Sequence, residues 1–165
     1  MEIKFTPWRM TYIKRGEKPG EDGCVFCAMS AATRDHDEDN LILYRGESCL
    51  VVMNLYPYNT AHLMVVPYTH TADLPRLDDT TASELFTLTR HCVRILSDVY
   101  QAHGFNLGMN LGSIAGAGIA EHLHMHIVPR WSGDTNFMPI VGGLKLIPED
   151  LDATYARLKP RFAEL

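Results

Sequence analysis

The sequence predicts an α+β fold: an antiparallel meander sheet of about five strands, one long helix and a C-terminal helix. Three observations predict it. Three β-rich runs joined by short turns crowd into residues 41–66. One stretch, 81–99, repeats apolar residues at helical spacing. Two later runs, 105–111 and 122–128, alternate with period two. Strands and helices that segregate along the chain, instead of alternating regularly, point to an α+β layer arrangement.

Residues 1–22 read as an irregular arm, with Trp8, Met10, Tyr12 and Ile13 available to pin it and Pro19-Gly20 breaking it. Cys27 to Arg34 fits a short helix, and the charged stretch Arg34 to Asn40 a solvated turn. Strands follow at Leu41–Arg45, Cys49–Asn54 and His62–Val66, separated by Gly46-Glu47 and by Pro57–Thr60. Thr81-Ala82-Ser83-Glu84 matches a capping box, in which a Thr hydroxyl and a Glu carboxylate satisfy free N–H groups. Leu85, Leu88, Cys92, Ile95, Leu96 and Val99 then form one apolar helix face, and His103-Gly104 is a stop. Phe105, Leu107, Met109 and Leu111 alternate with polar or small residues, a strand with one face buried. A loop of small residues, Gly112 to Ala120, leads into a strand from His122 to Val128, ended by Pro129. Phe137 to Ile147 holds one more strand or irregular structure. Pro148-Glu149-Asp150 opens a last helix running to about Leu158, where Pro160 disturbs it. This is one domain over 1–165: arm 1–22, core 23–131 and C-terminal extension 132–165.

With 165 residues the chain can bury a real core. Fifteen Lys and Arg against 20 Asp and Glu leave a net charge of −5, with no basic footprint for a nucleic-acid polymer or an anionic membrane. No apolar run is long enough to span a bilayer and no signal segment is visible, so a cytoplasmic location is expected. There a Cys-x-x-Cys pair, Cys24 and Cys27, binds metal or does redox chemistry. Cys49 and Cys92 sit in apolar surroundings and read as core. His36, His91 and His103 read as incidental. Trp131 either walls a site or covers the sheet.

The informative segment is His122-Leu123-His124-Met125-His126-Ile127-Val128. In an extended chain His122, His124 and His126 share one face, about 7 Å apart, while Leu123, Met125 and Ile127 pack on the other. A solvated face would use Lys, Glu or Thr, and packing alone does not ask for three imidazoles. A purely metal-binding strand is the alternative. A neutral imidazole is a nucleophile near neutral pH. If His124 attacks phosphorus, its other nitrogen needs a hydrogen-bond acceptor, most simply a backbone carbonyl. His126, His62 and the backbone of Gly112–Gly118 can answer the charge on the phosphate oxygens.

His-φ-His-φ-His-φ-φ followed by Pro129-Arg130 resembles the signature of the histidine-triad (HIT) superfamily, and the resemblance covers roughly Cys24 to Trp131. Asn54-Leu55-Tyr56-Pro57 and Ala61-His62-Leu63-Met64-Val65-Val66-Pro67 resemble the family's upstream strand pair. Together with Trp131–Phe137 they are closest to the branch of dinucleoside polyphosphate hydrolases and diadenosine tetraphosphate phosphorylases. Where many members carry Gly-Gln-Ser/Thr, this chain reads Ala117-Gly118-Ile119, which leaves the leaving-group preference open.

The resemblance implies a HIT-like fold and an enzyme that cleaves a dinucleoside polyphosphate at its α-phosphate. It makes His124 the nucleophile and has His126 bind phosphate oxygens. His62 lies near the α-phosphate, Asn54 at the ribose hydroxyls and Asn110 at the phosphate or leaving group. Gly118 belongs to the phosphate loop. Some members use two Cys and two His for zinc, which implies a structural Zn2+ on Cys24, Cys27, His70 and His122. No organic cofactor is implied. A homodimer is, commonly through the long helix and a sheet edge. A nucleoside phosphoramidate hydrolase, or a nucleotide-binding regulatory protein with little turnover, stands as the alternative.

Overall fold

The structure, a computed structural model, describes residues 23–134 and 147–165. The arm 1–22 and nearly all of the segment expected at Phe137–Ile147 lie outside the described residues. In chain order the elements are α1 (Val25–Ala31), β1 (Ile42–Arg45), β2 (Cys49–Met53), β3 (Leu63–Pro67), α2 (Asp79–Tyr100), β4 (Gly104–Gly108), β5 (Met125–Arg130) and α3 (Leu151–Phe162).

The α+β class and the five antiparallel strands match the expectation, but only the first three strands run as a meander. The sheet order is β1-β2-β3-β5-β4. Helix α2 carries the chain across the sheet, β4 forms the far edge, and β5 returns between β4 and β3. The histidine segment is therefore central, beside β3.

Both faces of β1–β3 are covered. On one, Val51, Met53, Leu63, Val65 and Ile127 pack against Leu85, Leu88, Ile95 and Leu96 of α2 and Leu158 and Phe162 of α3. On the other, Phe26 of α1 packs against Ile42, Leu50, Val52, Met64 and Val66. Two-sided burial explains why β2 and β3 are unbroken apolar runs instead of alternating ones. The exposed edge of β1 is covered by α3: Tyr155 Oη and Lys159 Nζ both donate to the Ile42 carbonyl.

Several boundaries differ from the sequence reading. Helix α2 starts at Asp79, and its cap is Asp78, whose carboxylate accepts the Thr81 N–H at 2.9 Å. The expected capping box is not used: Glu84 instead accepts the Glu47 and Ser48 N–H groups of the β1–β2 turn. The helix stops at left-handed Gln101, short of His103. Helix α1 begins at Val25 and ends at Ala31, with the Met29 and Ser30 carbonyls accepting from the Arg45 guanidinium, itself held by Asp37 at 2.8 Å. Strand β4 stops at Gly108 and is an edge, so Phe105 packs on the core but Leu107 is 50% exposed.

Strand β5 runs through Pro129. Its pairing with β3 ends at Ile127, so the side of Pro129 that lacks an N–H faces no strand, and its carbonyl accepts from Asn59 Nδ2 instead. Helix α3 is capped by Asp150 and continues past Pro160 to buried Phe162. Pro160 falls in the last turn, where the lost N–H costs one hydrogen bond and the Phe162 ring holds the turn down. No helix among the described residues is long and apolar enough to cross a membrane.

Candidate active site

The register of β3 and β5 builds the site. Met64 pairs with His126, and Val65 with Met125. The ladder then stops, and His122 and His124 stand on an extended lead-in instead of in the strand itself. Pro67 is the reason. Its backbone edge turned towards β5 has no N–H to give, and its carbonyl accepts His122 Nε2–H at 2.8 Å. The chain beyond β3 stays alongside, with the Leu123 N–H bonding the Thr71 carbonyl at 2.8 Å. His70 is thereby laid against His122, ring centroids 5.1 Å apart.

The histidines form a row on the α1 face of the sheet. His124 and His126 are edge-to-face at 4.7 Å, and His126 and His62 lie 5.1 Å apart. His62 and His122 are fully buried, and His124 is 6% exposed. Tyr58, 55% exposed, stacks on His62 at 5.0 Å.

The hydrogen bonds assign the protons. His124 Nδ1 lies 2.8 Å from the His122 carbonyl, which can only accept, so Nδ1 carries the proton and Nε2 keeps a lone pair. The Tyr58 N–H can only donate, and it meets His62 Nδ1 at 3.1 Å. His62 therefore bears its proton on Nε2, which meets His126 Nδ1 at 2.9 Å. His126 Nδ1 must accept, so a neutral His126 presents Nε2–H as a donor. Burial, with His124 as a second cause, pushes the His126 pKa down to about 4. Burial also lowers His124, partly offset by its bond to the His122 carbonyl. Both rings are neutral near pH 7.

Asn54 closes the loop that carries His62. Its Oδ1 accepts the Tyr56 N–H at 2.9 Å, and its N–H bonds the His62 carbonyl. Asn59 Nδ2 ties the same loop to Asp134 at 2.8 Å. Asn110 Nδ2 reaches the Gly116 carbonyl at 3.5 Å, across a loop that turns at Gly112 (φ 83°) and Gly116 (φ 87°). Gly118 lines an open depression with Gly23, Cys24 and Val25. Asn54, His62, His124 and His126 thus come together, whereas Asn110 and Gly118 belong to the loop that precedes the histidine segment. Trp131 donates its indole N–H to the Tyr100 carbonyl at the end of α2. Burial raises the thiol pKa of Cys49 to about 12 and raises that of Cys92 further, so both behave as core.

At the other end of the row, ligand atoms of Cys24, Cys27, His70 and His122 lie within 4.8 Å of one another. Cys24 Sγ and Cys27 Sγ are 3.3 Å and 3.7 Å from His122 Nδ1, Cys27 Sγ is 3.2 Å from His70 Nδ1, and the two Nδ1 atoms are 3.2 Å apart. A zinc tetrahedron of two sulfurs and two nitrogens has edges of roughly 3.3–3.8 Å. His122 spends Nε2–H on the Pro67 carbonyl, leaving Nδ1 as the ligand atom, which is the usual outer support of a metal histidine. The four residues fit the metal.

A family model described as "HIT domain" matches residues 35–133, more than half of the chain. The chain belongs to the HIT family. It is 41% identical to the AP-4-A phosphorylase of Mycobacterium tuberculosis over 96% of this chain and 83% of that one. It is 34% identical to a Schizosaccharomyces pombe bis(5'-nucleosyl)-tetraphosphatase [asymmetrical] over 56% of this chain and half of that one. Both relatives are enzymes, and this chain is a HIT-family enzyme. Among solved structures, a zinc-bound histidine triad family protein from Mycobacterium smegmatis superposes with a TM-score of 0.69 at 26% identity, covering 88% of this chain and 96% of that one.

Three residues of this HIT chain were not legible as part of the site. Tyr58 orients His62 through its backbone, a role no side-chain type announces. Asn59 acts through a contact 75 residues away. Phe26 sits inside the Cys-x-x-Cys segment, where spacing draws attention only to the thiols.

Proposed function

We propose that this HIT enzyme cleaves a dinucleoside polyphosphate at the α-phosphate through a nucleotidyl-histidine intermediate on His124. The observation that carries this reading is the bond from His124 Nδ1–H to the His122 carbonyl, which leaves the Nε2 lone pair as the attacking group. His124 Nε2 bonds to phosphorus as the bond to the bridging oxygen breaks, and the remaining nucleoside polyphosphate departs. Water or inorganic phosphate then attacks the same phosphorus and releases Nε2. His126 donates Nε2–H to a non-bridging oxygen, and His62 holds it in that tautomer. Asn54 binds the ribose hydroxyls, while Asn110 and the Gly118 loop face the polyphosphate. Phosphate is the favoured acceptor, because the relative at 41% identity is named a phosphorylase.

Zinc on Cys24, Cys27, His70 and His122 is structural, since four protein ligands leave it no open position. A homodimer through β4 is supported by that strand's place at the sheet edge and by exposed Leu107. The net charge of −5 fits an enzyme with small-molecule substrates and no nucleic-acid partner, and a cytoplasmic location belongs to the same reading.

Turnover of diadenosine tetraphosphate with and without phosphate tests the reading. ADP plus ATP formed only with phosphate is the expected result, and His124→Ala should lose at least about 10³-fold in kcat. Unchanged turnover in that variant would refute it. Tight binding of a nucleoside monophosphate with no turnover by the parent would favour a regulatory role.

A further inference from the structure

Between the two-cysteine, two-histidine cluster and His124 stands one aromatic ring. Phe26 is 2% exposed, and its centroid lies 5.4 Å from His122 and 5.1 Å from His124. It is carried by α1, which has Cys24 at its N-cap and Cys27 in its first turn and whose last carbonyls are fixed by Arg45. His124 is thus gripped on two sides. The His122 carbonyl holds Nδ1, and the Phe26 ring limits how far the imidazole can swing about that bond. Both grips belong to segments that end in metal ligands.

We propose that Phe26 is a positioning residue for the nucleophile. Its ring sets the plane of His124, and through α1 it makes the metal cluster part of the alignment of Nε2. The inference rests on His124 being the nucleophile. An imidazole free to turn still binds substrate, but it spends less time aimed at phosphorus, so the loss falls on kcat and not on KM. Phe26 also belongs to the apolar cluster with Leu50, Val52, Met64 and Val66. A test must therefore keep the volume and remove the ring.

Phe26→Leu and Phe26→Met remove the ring and keep most of the apolar volume. Full-length variants are compared with the parent for zinc content, for kcat and KM on diadenosine tetraphosphate, and for the His124 imidazole signals in long-range ¹H–¹⁵N spectra. The expected result is about one zinc per chain, KM within twofold, kcat down about tenfold, and His124 carbon-bound protons shifted by loss of the neighbouring ring current. Parent-like kcat in either folded variant would overturn the proposal. So would a fall in kcat that comes with lost zinc or with an equal rise in KM, because the ring would then act only through folding. A parent enzyme indifferent to His124→Ala would instead sink the function itself, while the spectra would still report whether Phe26 fixes the ring.

Discussion

His62 Nε2 lies 2.9 Å from His126 Nδ1, and the Tyr58 N–H behind His62 decides which of the two donates. A backbone N–H cannot reverse its polarity, so the proton order along both rings is set by the fold. His126 then presents a neutral Nε2–H donor without having to be charged.

Removing His62 should therefore act on His126. In His62→Ala, Nδ1 of His126 loses its donor and the ring divides between tautomers. The expected loss is roughly 10- to 100-fold in kcat, the scale of one misplaced donor to developing charge. Imidazole ¹⁵N shifts of His126 should move from a single Nε2–H form to a mixture. A His62→Ala enzyme whose His126 keeps one tautomer would contradict the proton order.

The pH dependence of stability follows from the same ring. His126 is faced by His62 from the lead-in to β3, by His124 from its own segment and by Tyr58 from the intervening loop. Its folded pKa is pushed down to about 4, chiefly by burial, while an unfolded His titrates near 6.5. Between those values the unfolded chain binds a proton that the folded one lacks. Stability therefore falls as pH drops from about 6.5 towards 4, and His126 contributes no pH dependence above that window. Urea midpoints measured at pH 7.5, 6 and 5 should decline more steeply for the parent than for His126→Asn. Parallel declines would remove His126 as a source.

Loss of the metal should loosen the whole α1 face. Cys24→Ala leaves three of four ligand residues, and α1 carries no side-chain cap of its own. Zinc content should fall from about one per chain to near zero. The thermal midpoint should drop on the order of 10 °C, equivalent to about 3 kcal/mol for a chain of this size. Cys92→Ala, on the buried face of α2, should lose some stability but keep its zinc. Metal-free protein of parental stability would contradict a structural role for the cluster.

The sequence carried most of the site because period two puts His122, His124 and His126 on one side whether or not the segment is hydrogen-bonded as a strand. It could not say that the ladder ends at Pro67, since that depends on which backbone edge the proline presents to β5. Nor could it give the strand order, because local patterns do not record that β5 returns between β3 and β4. Thr81 to Glu84 failed for a similar reason. Asp78 lay three residues upstream with an equally suitable carboxylate, and only the tertiary fold shows Glu84 engaged elsewhere.

That engagement makes a last prediction. Gly46 sits in the β1–β2 turn, where an added Cβ would collide with Glu84 Oε1 and lie 3.0 Å from the Cys49 carbonyl. Gly46→Ala must therefore push the carboxylate away from the two turn N–H groups it accepts, and should cost about 1–2 kcal/mol. Glu84→Ala alone leaves those N–H groups to water and should cost about 1 kcal/mol. The two changes damage the same contact, so the double variant should be more stable than the sum of the single losses by roughly 0.5–1 kcal/mol. Urea denaturation of the four proteins closes the cycle. Strict additivity would mean that the Cys49 carbonyl, not Glu84, is what excludes a side chain at position 46.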